Sequence, residues 1–115
     1  MKKVIVTGGS GFIGCNLINY LIKKKFFVVN IDKLTYSSNN FAHINKSKKN
    51  YRFYKADINN KKQIFRIIRK WSPKAIFNLA AETHVDRSID GPKPFIHTNI
   101  NGTFNLLECL RESKK

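Results

Sequence analysis

The run Thr7, Gly8, Gly9, Ser10, Gly11, Phe12, Ile13, Gly14 constrains this chain more than any other stretch. Val4, Ile5 and Val6 precede it, and their β-branched side chains predict a short buried strand. The apolar-rich segment 17–22 follows and predicts a helix. A strand, a glycine turn and a helix N-terminus in that order make an anion site. The first-turn N–H groups of a helix have no intrahelical partner, and the helix dipole adds partial positive charge there. Each glycine has a separate expected task. Gly8 turns the chain off the strand, Gly11 leaves room for a diphosphate at the backbone, and Gly14 lets the helix pack closely on the strand.

The spacing is Gly-x-x-Gly-x-x-Gly rather than the Gly-x-Gly-x-x-Gly of the common dinucleotide fingerprint, and a plain strand-to-helix turn also accommodates three glycines. A second predicted strand, residues 27–31, leads into Asp32 and favours the dinucleotide reading. An acidic residue roughly 20 positions beyond the glycines is where a ribose diol is held. A carboxylate accepts hydrogen bonds from both ribose hydroxyls and repels a 2′-phosphate. This favours NAD over NADP, and the neighbouring Lys33 works in the opposite direction.

With 115 residues the chain has room for one domain with a core of its own. A complete nucleotide-binding domain together with a substrate domain does not fit, so residues 1–115 are expected to form an incomplete NAD-binding domain without a substrate domain. No apolar run is long enough for a membrane span, and Met1, Lys2 and Lys3 lead directly into a strand with no signal-peptide pattern. Cys15 and Cys109 have no metal-ligand spacing and fall in helical patterns. They are expected to be reduced and structural, and the protein cytoplasmic. The formal net charge is +15. Nucleic-acid binding is one reading of it. Compositional drift is the favoured one, because Lys, Asn and Ile are abundant together and no aromatics alternate with the lysines as a single-strand binder would show.

Further along, residues 51–55 predict a third strand with alternating faces, after a polar loop that has room for one helical turn at residues 41–44. Ile64, Ile67, Ile68 and Trp71 fall at helical spacing, and Ser72 and Pro73 stop that helix. Residues 75–79 predict a fourth strand. Pro92 and Pro94 introduce a long helix reaching Glu112, with Gly102 inside it as a close-packing position. The alternation predicts an α/β fold: a Rossmann-type doubly wound parallel sheet, first half, with strand order 3-2-1-4. Ligands bind beyond the carboxyl ends of such strands at the switch point between strands one and four.

Two stretches carry a family resemblance. Thr7-Gly8-x-x-Gly11-x-x-Gly14 resembles the cofactor motif of the extended short-chain dehydrogenase/reductase family, the nucleotide-sugar epimerases, dehydratases and decarboxylases. Leu79-Ala80-Ala81-Glu82-Thr83-His84-Val85-Asp86-Arg87-Ser88 is similar to the segment after the fourth strand of the dTDP-glucose 4,6-dehydratases, departing only at Thr83, where those enzymes have serine. Epimerases share the glycine region but lack the His-Val-Asp-Arg-Ser run. The resemblance spans essentially the whole chain.

It implies a set of sites. Phe12 and Ile13 line the diphosphate turn. Asp32, Lys33, Leu34 and Thr35 hold the adenosine ribose, and Asp57 and Ile58 the adenine. Leu79, Ala80, Ala81 and Glu82 run along the nicotinamide half, Thr98 also touches the cofactor, and Thr83 and His84 face the sugar nucleotide. Simpler roles stay open: Asp57 as a helix cap, His84 as a loop histidine, Asp86 and Arg87 as a loop brace, and Phe12 and Ile13 as packing residues.

The implied reaction is an internal oxidation–reduction that loses water to give a 4-keto-6-deoxy sugar. A homodimer is implied for the family. Its catalytic Tyr-x-x-x-Lys pair and Thr-Asp-Glu run have no counterpart here. The one Tyr-x-x-x-Lys spacing, Tyr51 to Lys55, falls on the third strand, where alternation leaves both residues on one strand face rather than one helical turn apart. No catalytic residue is assigned. The functions in view are the cofactor-binding portion of a dehydratase, a catalytically inactive remnant or NAD-binding module, a fragment of an epimerase, and a basic nucleic-acid-binding protein.

Overall fold

Four parallel strands in the order β3-β2-β1-β4 make the central sheet. The computed structural model describes residues 1–34, 49–80, 93 and 96–114. The strands are β1 (Lys3–Thr7), β2 (Phe27–Asp32), β3 (Tyr51–Lys55) and β4 (Ala75–Asn78). Between them run α1 (Phe12–Lys23) and α2 (Lys61–Trp71). β1 is flanked by β2 and β4, with Val6 opposite Asn30 on one side and Phe77 on the other. The expected Rossmann-type half-sheet is therefore formed, with its switch point between β1 and β4. The fourth strand stops at Asn78, one residue before its expected end.

Strand alternation sorts the core into two layers. Val4, Val6 and Val28 face α1 and pack with Ile18 and Leu21. Ile5, Val29 and Ile31 face the other way and pack with Ile64, Ile67 and Ile68 of α2 and with Leu106 and Cys109. The two central strands are covered on both faces, which is why they read as near-continuous apolar runs.

The helix ends have local causes. α1 closes through Lys25 at φ 69°, with Phe26 N–H donating to Leu21 O at 3.1 Å. α2 is capped by Asn60, whose side chain accepts from Gln63 N–H at 3.2 Å. The capping role open to Asp57 therefore falls to Asn60. Ser72 ends α2 in the left-handed region at φ 43°, and Pro73 follows. Trp71 is tied down by stacking on Phe27, with centroids 5.0 Å apart, and by donating Nε1–H to Tyr54 Oη at 3.0 Å.

The last helix differs from expectation in its first half. Residues His97–Gly102 take wider π-type turns, and regular helix, α3, covers only Thr103–Ser113. Two carbonyls of the wide stretch are taken by side chains: His97 O by Asn59 Nδ2 at 3.0 Å and Asn99 O by Thr103 Oγ1 at 2.9 Å. Such bonds offset the looser backbone pairing of a π-turn, a feature frequent at functional sites. Gly102 is the expected close-packing position, because a Cβ there would overlap Ile58 Cδ1. The helical turn expected at residues 41–44 lies outside the described residues.

Candidate functional site

The glycine turn is held from both neighbouring strands. Gly8 sits at φ 70°, and its N–H donates to Ile31 O of β2 at 2.8 Å. A Cβ on Gly8 would stand 2.6 Å from the Leu79 carbonyl carbon and 2.7 Å from Ala80 N, so the turn lies directly against the exit of β4. Thr7 completes this junction. Its hydroxyl donates to Asn78 Oδ1 and accepts from Ala80 N–H at 3.1 Å, and its carbonyl accepts from Leu79 N–H at 3.0 Å. Gly14 packs on the turn rather than on the strand, since a Cβ there would overlap Gly8 O.

Gly11 is different. Among the described residues, an added Cβ would meet only Gly8 O, at an ordinary 3.6 Å. The space over Gly11 is open, as a diphosphate cradle requires. Cys15 N–H makes the first intrahelical bond, to Gly11 O at 2.9 Å. The first helical turn thus opens onto that space. Phe12 and Ile13 are 67% and 72% exposed, which removes the reading that they are packing residues of this unit.

Asp32 ends β2 beside the turn and is buried. Its Oδ2 accepts from Ser10 N–H at 2.9 Å, and its Oδ1 from Leu34 N–H at 2.7 Å. The second bond turns the chain at Leu34, which takes φ 59°. Carboxylate oxygens accept hydrogen bonds and never donate them, the chemistry that a ribose diol needs from its partner. Lys33 reaches across to Asp57, with Nζ 3.9 Å from Oδ2, rather than toward Asp32. Asp57 accepts from Asn59 N–H at 2.9 Å, and Ile58 is buried beneath Gly102. Thr98 is buried, and its hydroxyl has no partner among the described residues. A buried unpaired hydroxyl is costly unless something else bonds it.

The structure therefore brings Gly8, Gly11, Phe12, Ile13, Gly14, Asp32, Lys33, Leu34, Asp57, Ile58, Leu79, Ala80 and Thr98 to one region, the carboxyl ends of the strands and the helix beyond β4. Thr35, Ala81, Glu82, Thr83 and His84, with Asp86 and Arg87, lie outside the described residues. Three further residues bear on the turn: Gly9, Ser10 and Asn30. Gly9 N–H donates to Asn30 Oδ1 at 3.0 Å, and Ser10 and Asn30 are fully buried. The available signal was an asparagine in an otherwise apolar strand.

Tyr51 and Lys55 stay apart from this site's chemistry. Tyr51 Oη accepts from Asn30 Nδ2 at 3.0 Å, and burial pushes its phenol above the ordinary value. A tyrosine base needs a lowered value, the opposite of the direction that this environment imposes.

Comparison with known proteins places this geometry in a lineage. The dTDP-glucose 4,6-dehydratase of Haemophilus influenzae is 50% identical over 114 residues, 96% of this chain and 33% of that protein. The enzyme of the same name from Salmonella typhimurium is 49% identical over 113 residues, 96% of this chain and 31% of its own. Among solved structures, a dTDP-glucose 4,6-dehydratase from Streptomyces venezuelae with NAD bound superposes with a TM-score of 0.85 at 35% identity, covering 96% of this chain and 36% of that one. The chain spans about a third of the length of these curated relatives. The family described as GDP-mannose 4,6 dehydratase matches residues 5–115. Glycine turn, acidic strand end and sheet order thus run through one continuous match, and the chain belongs to the GDP-mannose 4,6 dehydratase family.

Proposed function

We propose that residues 1–115 form the NAD-binding N-terminal portion of a dTDP-glucose 4,6-dehydratase. The observation that carries this reading is the buried Asp32 carboxylate, clamped by Ser10 and Leu34 N–H groups beside an open Gly11. The diphosphate lies over Gly11 against the first turn of α1, with Phe12 and Ile13 beside it. Asp32 accepts the adenosine ribose hydroxyls, with Lys33, Leu34 and Thr35 next to it, and Asp57 and Ile58 border the adenine. Leu79, Ala80, Ala81 and Glu82 follow the nicotinamide half, and Thr98 offers its unpaired hydroxyl. Thr83 and His84 face a nucleotide-sugar substrate.

When bound, NAD would supply a hydride acceptor and donor for the sugar's internal oxidation–reduction. The residues present here bind and orient. The family's catalytic Tyr-x-x-x-Lys pair and Thr-Asp-Glu run have no counterpart in them, so the 115-residue chain is expected to bind NAD without turning over dTDP-glucose. The working protein is a cytoplasmic homodimer with no nucleic-acid partner. In support, no helix among the described residues is long and apolar enough to cross a membrane, and an apolar stripe on the last helix is left uncovered.

Titration calorimetry with NAD and NADP tests the reading. NAD is expected to bind more tightly, and Asp32→Ala to narrow the difference. Gly11→Val should remove NAD binding while leaving the melting temperature nearly unchanged, because its Cβ has room in the fold but not beside a diphosphate. Equal or tighter binding of NADP to the unmutated chain would reject the assignment.

A further inference from the structure

Asn30 is fully buried in the middle of β2, between Val29 and Ile31. A valine or isoleucine would pack there without burying an amide, and an unbonded buried amide is costly. Three of its four bonding positions are used, both amide N–H donors among them. Oδ1 accepts from Gly9 N–H at 3.0 Å, and Nδ2 donates to Ser10 Oγ at 3.3 Å and to Tyr51 Oη at 3.0 Å. The Gly9 donor requires oxygen on that side of the amide, which sets its orientation.

Alternation explains the aim. Val28, Asn30 and Asp32 share the β2 face that looks toward α1 and the turn. Asn30 holds the Gly9 N–H and the Ser10 side chain, while Asp32 holds the Ser10 N–H. Two consecutive turn residues are therefore pinned by two alternate residues of one strand. Gly9 and Asn30 are matched in shape as well, since a Cβ on Gly9 would overlap Asn30 Oδ1 and Ile18 Cδ1. Tyr51, on the neighbouring strand β3, gives the amide its third bond.

We propose that Asn30, braced by Tyr51, is a positioning residue that sets the diphosphate turn and, through Ser10, the orientation in which Asp32 selects NAD over NADP. This rests on the NAD-binding reading above. Without Asn30, Gly9 N–H loses its acceptor and Ser10 is free to move. Asp32 then loses a fixed donor on Oδ2, and the carboxylate is no longer held for two hydroxyls. A purely structural asparagine would affect stability without affecting which dinucleotide is preferred.

The experiment uses the full chain with two substitutions, Asn30→Ala and Tyr51→Phe. Two quantities are read: hydrogen–deuterium exchange of the peptide spanning residues 7–14, and the ratio of NAD to NADP affinity. In Asn30→Ala, exchange at the turn should quicken by roughly tenfold and NAD affinity fall by a similar factor, with NADP affinity falling less, so that the ratio narrows. Tyr51→Phe removes one hydroxyl at a half-buried position and should show the same pattern at about threefold. If Asn30→Ala does not fold, Tyr51→Phe alone decides. Faster exchange with an unchanged ratio, or unchanged values of both, overturns the proposal. If the unmutated chain binds no NAD, the parent reading fails, and exchange at the turn alone then decides whether Asn30 sets it.

Discussion

The two sides of the sheet at β1 and β2 are finished differently. On one side, α1 buries Gly14, Cys15, Ile18 and Leu21 against the turn and three valines. Its apolar stripe is matched by a surface of the same unit. On the other side, α3 buries Leu106 and Cys109 but leaves Phe104 and Leu107 64% and 60% exposed. Ile96 and Ile100, in the turns before it, are also exposed, so one helical face carries Ile100, Phe104 and Leu107 at four- and three-residue steps. Phe77 of β4 and Leu79 just after it are also exposed, and β4 pairs only with β1 among the described residues. A helical apolar period states that a face will be covered; it does not state by what.

The comparison breaks most visibly at the turn. Gly8→Val introduces a Cβ against backbone at a positive φ, a neighbour that cannot move aside. A loss of roughly 3 kcal/mol or more is expected, enough to prevent folding of a small unit. Circular dichroism with urea titration reads it, and a cooperative transition near the unmutated midpoint would contradict this account of the β1–β4 junction.

Adjacent leucines on α3 sharpen the contrast. Leu106→Ala should cost about 2–5 kcal/mol, since the side chain is buried between α2 and the sheet. Leu107→Ala should change stability by no more than about 0.5 kcal/mol if that position faces solvent in the isolated chain. A comparable loss at Leu107 would mean that something covers it in solution.

That covering has its own measurement. The exposed stripe and the open β4 edge together predict that the isolated chain self-associates. Light scattering after size exclusion should show species larger than a monomer, and Phe104→Lys with Leu107→Lys should shift them toward monomer. A sharp monomeric peak with a cooperative melt for the unmutated chain would sink the idea.

The smallest effect is a pH dependence. Burial holds the Cys15 and Cys109 thiols above their ordinary value of 9.0, and burial is the main cause of the raised Tyr51 phenol. These groups lose their protons more readily in the unfolded chain. Their contribution to stability is full below the ordinary values and is lost as pH rises through the raised ones. The melting temperature should therefore decline in alkaline buffer above pH 9.0 more steeply in the unmutated chain than in Cys109→Ala.

Much of this was legible beforehand because the signals are local. A β-branched run, a glycine triplet, an acidic strand end and a 3.6-residue stripe each state a backbone preference or a burial period within a few residues. They led to the four strands, α1 and α2, the sheet order and the Asp32 end. The wide turns at His97–Gly102 were not legible, because they depend on an Asn59 side chain 38 residues away taking His97 O. The cap of α2 went to Asn60 rather than Asp57 because hydrogen-bond reach, not residue type, chooses between two good cappers.

By itself, the amino-acid order determined where the chain must turn, which strand faces are apolar, and that a carboxylate ends β2 within reach of a glycine turn. Only the tertiary structure decided that Gly8 is closed by the backbone at the exit of β4 and that Gly14 is closed by the turn itself. It also decided that Asn30 binds Gly9 and Ser10 across 21 and 20 residues of chain. The physical reason is common to both. Clearance around a backbone atom and the partner of a buried amide are properties of what the fold brings alongside, and no local preference contains them.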